Sequence, residues 1–162
     1  ARILGLGYPG GPEIEKLSKT GNETSINFPR PLMQNKNLEF SFSGLKTSLL
    51  YYMDSFESSN ECSLSDVASS YQQAIIDSLL NKINLAALKT NVKTITIAGG
   101  VAKNQILRDK LKNDFSNYKI IFPDFNYCTD NAAMISFLGE IKLKLGSESS
   151  LDFGIYPNFK FL

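Results

Sequence analysis

Two short runs of β-branched and apolar residues, each followed by a turn and an amphipathic stretch, limit the fold more than any other feature. Residues 92–98 (VKTITIA) read as a strand, Gly99-Gly100 turns the chain, and Val101 to Asn113 reads as a helix with Leu107 and Leu111 facing inward. Lys119 to Phe122 is a second strand, and Asn131 to Leu145 a second amphipathic helix. Two adjacent βα units predict a parallel sheet and an α/β class.

Upstream, the pattern changes. Ala1 to Leu6 reads as the tail of a helix, so the chain is expected to be a fragment or a processed product. Pro12, whose missing N–H is harmless in a first helical turn, predicts a helix to about Lys19 that stops at Gly21. Ile26 and Phe28, then Leu38, Phe40 and Phe42, alternate with polar residues and predict two strands paired as a hairpin, with Phe40 and Phe42 in the core. A helix follows through Leu45, Leu49, Leu50 and Met53, and the polar stretch 54–62 is expected to be an exposed loop. Ser63-x-x-Asp66 resembles a capping box. It opens a long helix to about Thr90 with Val67, Tyr71, Ala74, Ile75, Leu79 and Ile83 on one face. The tail 147–162 has no clear pattern.

Composition narrows the chemistry. The 162 residues suffice for one ordinary domain, and the 43% hydrophobic and 20% charged fractions are those of a globular protein. No run approaches the roughly 18 apolar residues of a membrane span. The net charge of +1 is no electrostatic footprint for nucleic acid, so this part of a protein alone is not expected to bind RNA strongly. Cys62 and Cys128 lack metal-ligand spacing and read as free thiols. Histidine is absent, which removes Ser-His-Asp triads, imidazole bases and His-based zinc sites from the residues at hand.

Four segments carry candidate chemistry, each beside a plainer alternative. Gly5-x-Gly7-x-x-Gly10 imitates a dinucleotide fingerprint, but a helical segment precedes it and Pro9 interrupts it. The same loop, Pro9-Gly10-Gly11-Pro12, brings bare backbone close to whatever lies above it, and Glu15 could accept hydrogen bonds from a ribose; the alternative is a plain turn. Ala98-Gly99-Gly100-Val101-Ala102-Lys103-Asn104 ends a strand and opens a helix, where N–H groups favour polar ligands. There Asn104, one turn in, could both donate and accept; the alternative is a structural turn. Cys128-Thr129-Asp130-Asn131 also opens a helix, and Asp130 presents either a metal-binding carboxylate or, with Thr129, a helix N-cap. Phe40 to Thr47 needs no reading beyond a strand leading into a capped helix.

Taken in order, YPGGPEIEKL, FPRP, FSFSGLKT, AGGVAKNQILR and CTDNAAMI resemble the TsaD family across nearly the whole chain. The resemblance implies one lobe of the actin and sugar-kinase-like (ASKHA, ribonuclease H-like) superfamily with a helical insertion. Residues 1–162 would be the C-terminal part of a TsaD-like protein whose N-terminal lobe is absent, with the hairpin and helical insertion at 20–90 and the two βα units at 91–146. Such proteins transfer a threonylcarbamoyl group from threonylcarbamoyl-adenylate to the adenosine beside the anticodon of ANN-decoding tRNAs. By that resemblance, Asn104 and Gly11 hold the adenylate, Glu15 contacts its ribose, and Asp130 is a ligand of one divalent metal, iron or zinc.

The resemblance also implies what is missing. The family's two metal-binding histidines lie in its N-terminal region, and an aspartate that contacts the adenylate lies just upstream of Ala1. This chain alone is therefore expected to be inactive. The implied partners are tRNA, the N-terminal lobe, a TsaB-like paralogous subunit and a TsaE-like ATPase, in the cytoplasm and away from membranes. Two alternatives remain. One is a non-catalytic interaction module of the same superfamily, which would not need Asp130, Asn104 and the glycine loop together. The other is a kinase or ATPase of that superfamily, which needs an acidic phosphate-loop strand that these residues lack.

Overall fold

The computed structural model describes residues 1–59, 62–150, 152 and 154, with the side chains of 57–59 excepted. Among the described residues, the helices are α1 (Gly10–Ser18), α2 (Ser43–Ser59), α3 (Leu64–Thr90), α4 (Gln105–Asp114) and α5 (Ala132–Lys144). The strands are β1 (Thr94–Thr96) and β2 (Lys119–Ile121), and 3₁₀ turns cover Gly100–Lys103 and Phe125–Tyr127. The chain divides into two compact units between Cys128 and Thr129.

In the first unit β1 and β2 pair parallel, with Thr94 opposite Lys119, Ile95 opposite Ile120 and Thr96 opposite Ile121. This is the predicted arrangement, and the two-residue side-chain period explains its burial. Ile95 and Ile120 turn together toward a core of Ile76, Leu107, Leu111 and Phe115. A second core joins Leu4, Phe28, Leu45, Leu49, Val67 and Ala74. Helix α3 contributes to both, Val67 to Ala74 to one and Ile76 to Ile83 to the other. Burying one leucine such as Leu49 contributes about 1.5–3 kcal/mol to such a core.

The capping box forms as predicted. Asp66 N–H donates to Ser63 Oγ at 3.1 Å, and Ser63 N–H donates to Asp66 Oδ2 at 2.9 Å. Asp66 Oδ1 also accepts the Asn22 N–H at 2.6 Å, so one carboxylate fixes both the helix start and the loop after α1. These bonds, that from Asn22 foremost, hold the Asp66 carboxyl below its usual range. Gly21 permits the crossing, since a Cβ there would overlap the main chain of Ser65. At the other end, residues 1–6 close as a helix C-terminus does. Leu6 N–H donates to Ala1 C=O at 2.9 Å, Gly5 N–H donates to Arg2 C=O at 3.2 Å, and Gly5 lies at φ +70°.

Three expectations are corrected. The hairpin of 26–28 with 38–42 does not form. Pro29 and Pro31 donate nothing, and the Ile26 N–H goes instead to Ser70 Oγ at 3.1 Å. Phe28 is buried edge-on against Tyr52 and Tyr71, whereas Phe40 and Phe42 stay exposed and stack on each other at 5.8 Å. The alternation marked a shared side without marking burial. Second, most of 54–62 is helix, because α2 continues to Ser59; Tyr52 and Phe56, one turn apart, pack at 6.1 Å and join the first core. Residues 60 and 61 lie outside the described residues, as does most of the tail after 150. Third, the helix expected from Val101 is broken at Asn104, whose ψ of 119° is extended.

The loop 30–37 closes over a charge. Lys82, 4% exposed, donates from Nζ to the carbonyls of Leu32 (2.7 Å), Asn35 (3.0 Å) and Asn37 (2.9 Å). Among the described residues no carboxylate pairs with it. Arg30 in the same loop bonds Asp77 of α3 through Nε at 3.0 Å and Nη2 at 2.8 Å.

Candidate functional site

The break at Asn104 builds the site. Gly99, at φ +88°, turns the chain out of the sheet, and the Gly100–Lys103 turn delivers Asn104 as the N-cap of α4. Its Oδ1 accepts the Leu107 N–H at 2.9 Å, satisfying one of the free donors of the first turn. Asn104 was expected one turn inside the helix. An asparagine competes well for a cap and poorly for an interior position, which explains the shift.

Glu15 reaches the same place from α1. Its Oε1 accepts the Gln105 N–H at 2.7 Å, so a carboxylate seals the positive end of α4. The two residues are also joined from below. Asn104 Nδ2 donates to Gln72 Oε1 at 2.9 Å, Gln72 Nε2 donates to Ser18 Oγ at 2.9 Å, and Ser18 Oγ donates to the Glu15 carbonyl at 2.8 Å. Glu15, Ser18, Gln72, Asn104 and Gln105 thus form a closed polar ring from α1, α3 and α4. Gln72 and Ser18 are buried, while Glu15 and Asn104 are half-buried at the rim. Among the described residues, Glu15 Oε2 and the second Nδ2 hydrogen of Asn104 have no partner. The rim therefore offers one acceptor and one donor, a pair that suits the hydroxyls and ring nitrogens of a nucleoside.

Gly11 lies in the first turn of α1, with open space over it. Gly10 beside it is glycine for packing, since a Cβ there would lie 2.7 Å from Ala1 Cβ. Arg108 fixes the turn from behind. Its guanidinium, in a residue 8% exposed, donates to the Ala102 carbonyl (2.5 Å), the Pro123 carbonyl (2.8 Å) and Cys128 Sγ (3.3 Å). It also stacks 4.0 Å from the centre of the Phe125 ring and 4.8 Å from that of Phe122. An open cleft of about 750 Å³ lined by residues such as Asn27, Arg30 and Met33 contains none of the four predicted site residues.

Asp130 belongs to the second unit and is described there alone. The N-cap of α5 is Asn131, whose Oδ1 accepts the Met134 N–H at 3.0 Å, so neither Thr129 nor Asp130 caps the helix as the plainer reading had it. Asp130 is exposed and its carboxylate has no bonding partner among the described residues. Among those residues, no three His, Cys, Asp or Glu side chains cluster to hold a metal ion.

The family model of tRNA N6-adenosine threonylcarbamoyltransferase, TsaD, matches residues 1–137. The chain belongs to the TsaD family. It is 49% identical over 162 residues to the tRNA N6-adenosine threonylcarbamoyltransferase of Thermosipho africanus strain TCF52B, covering 99% of this chain and 49% of that protein. The namesake from Fervidobacterium nodosum is 47% identical over 163 residues, 98% of this chain and 48% of its own length. That from Clostridium botulinum strain Hall is 42% identical over 163 residues, 99% and 48% respectively. The chain thus spans about half the length of these TsaD relatives. No described helix is long and apolar enough to cross a membrane. Sequence reasoning missed Gln72, Ser18 and Arg108. Gln72 had a legible signal, a polar residue between Ala68 and Ile76 on the buried stripe of α3.

Proposed function

We propose that this chain supplies the adenylate-binding part of a tRNA threonylcarbamoyltransferase. The full chain would move a threonylcarbamoyl group from threonylcarbamoyl-adenylate to the exocyclic amine of the adenosine beside the anticodon in ANN-decoding tRNAs. One observation carries the reading. Glu15 and Gln105, 90 positions apart, meet at 2.7 Å and bring the YPGG and AGGVAKN motifs to one rim.

In this reading Gly11 admits the adenylate close to the α1 backbone, Asn104 donates to its nucleoside, and Glu15 accepts from a ribose hydroxyl. The mixed anhydride is already activated, so holding it against the incoming amine provides much of the rate. The amine forms a bond to the carbamoyl carbon as that carbon's bond to the phosphate oxygen breaks; AMP leaves with the bonding electron pair, and the amine's proton passes to solvent. Asp130, whose carboxylate has no bonding partner among the described residues, fits as one ligand of a divalent metal, with the remaining ligands outside this chain. Iron or zinc bound there would act as a Lewis acid toward the carbamoyl or phosphate oxygens.

The fold reading follows the same line. Residues 91–146 would form the core of one ASKHA-type lobe, and 20–90 an insertion on it. The partners would be tRNA, the N-terminal lobe, a TsaB-like subunit and a TsaE-like ATPase in the cytoplasm. The test compares the full chain, its Asp130→Ala variant and residues 1–162 alone. Metal content is read by elemental mass spectrometry and modified adenosine by nucleoside mass spectrometry. The variant should lose metal, and residues 1–162 should modify no tRNA. Normal metal in the variant, or modification by residues 1–162, would overturn the proposal.

A further inference from the structure

We propose that Gln72 is a positioning residue for the adenylate, acting through Asn104 and dictating which polar atom Asn104 shows to the ligand. This deepens the reading above and rests on it.

Gln72 is 6% exposed and occupies a stripe of α3 where Ala68 and Ile76 are apolar and buried. An apolar residue would pack there without needing partners. The amide instead takes part in a relay with one possible direction. The single hydroxyl hydrogen of Ser18 is used on the Glu15 carbonyl, so Ser18 Oγ can only accept from Gln72. Gln72 must therefore turn its NH₂ to Ser18 and its carbonyl to Asn104. Asn104 must answer with Nδ2, which leaves Oδ1 for the Leu107 N–H. A flipped Asn104 would set Oδ1 against Gln72 Oε1, two acceptors face to face, and would lose the helix cap.

The relay begins at a main-chain carbonyl of α1 and ends by fixing the free group of Asn104 as a donor. The ligand must bring an acceptor to Asn104, such as a ring nitrogen or a ribose oxygen, and a donor to Glu15. Specificity at the rim is thus set by a buried amide that does not itself reach the ligand.

The experiment uses the full chain, with AMP as the probe in titration calorimetry and kcat and KM from tRNA modification. Gln72→Met keeps the volume and removes both bonds; AMP should bind about tenfold more weakly, the cost of freeing one buried polar contact, with kcat at saturation little changed. The double variant of Gln72→Met with Asn104→Ala should bind no more weakly than Asn104→Ala alone. Unaltered AMP affinity in Gln72→Met, or losses that add in the double variant, would overturn the inference while leaving the adenylate site standing. Unaltered affinity in Asn104→Ala would instead overturn that site and the inference with it. Should Gln72→Met not fold, Ser18→Ala removes the acceptor that orients Gln72. A severalfold loss there supports the relay, and wild-type affinity refutes it.

Discussion

Replacing Arg108 by methionine tests whether a buried guanidinium, and not apolar packing alone, holds the Gly100–Lys103 turn. The substitution keeps an unbranched apolar stem and removes the donors. It leaves the carbonyls of Ala102 and Pro123 without their bonds at 2.5 and 2.8 Å. The buried Ala102 carbonyl left unmatched costs about 1–3 kcal/mol, and the half-buried Pro123 carbonyl, which Cys128 Sγ also approaches, costs about 1 kcal/mol. Losing the stacking on Phe125 and Phe122 adds about 1 kcal/mol. Against this, the fold no longer has to bury a charge that no carboxylate among the described residues offsets, which returns a few kcal/mol. The expected net loss is about 1–3 kcal/mol, read as a lower urea midpoint at unchanged slope in equilibrium unfolding. Arg108→Lys should fall between, since an ammonium keeps the charge but has no planar fork to reach both carbonyls at once. A methionine variant within about 0.5 kcal/mol of the parent, the range of an ordinary surface change, would refute the reasoning.

Two further predictions concern the rest of the first unit. The Asp66 carboxyl is held below its unfolded value by its bonds to Asn22 and Ser63, so its contribution is complete above about pH 4 and disappears as pH falls through the lowered folded value. Asp66→Asn should therefore melt below the parent at pH 6, with the gap closing toward pH 2; a gap independent of pH would contradict this. Lys82→Met removes the donor shared by three loop carbonyls and should destabilise by about 2–4 kcal/mol, less than a fully buried loss because water can reach loop 30–37. Proteolysis should then begin in that loop, and a variant cut elsewhere first would show that Lys82 does not hold it.

The parallel sheet, the long α3 and its capping box were legible because each depends on local pattern. The β-branched run at 94–96, the turn glycines and the Ser63-Asp66 pair determine their structure within a few residues. The hairpin misled because period-two alternation shows which residues share a side, and Phe40 and Phe42 do share one, but it cannot show whether anything covers them. The motif segments marked Gly11, Glu15, Asn104 and Asp130 as candidates without joining them. The link from Glu15 to Asn104 runs through Gln72 and Ser18, partners 54 positions apart, and no local spacing encodes such a contact. Asn131 took the cap from its neighbours because three adjacent residues all suit that role, and only the chain's path selects among them.

Helix α3 is a wall common to two cores, and this has a consequence for how the first unit opens. Amides near Ala74 to Ser78 have hydrophobic neighbours from both clusters within one helical turn, so neither cluster can separate while those turns stay wound. Hydrogen exchange in that stretch should require the opening of the whole unit, and the protection of Leu49 and Leu111 should fall together under mild denaturant. The glycine turn and the rim of α4 would then owe their rigidity to a helix that contributes neither of the rim's free polar groups. A destabilising change as remote as the Asn22–Asp66 crossing would be felt at Asn104 as a shorter lifetime of the formed site.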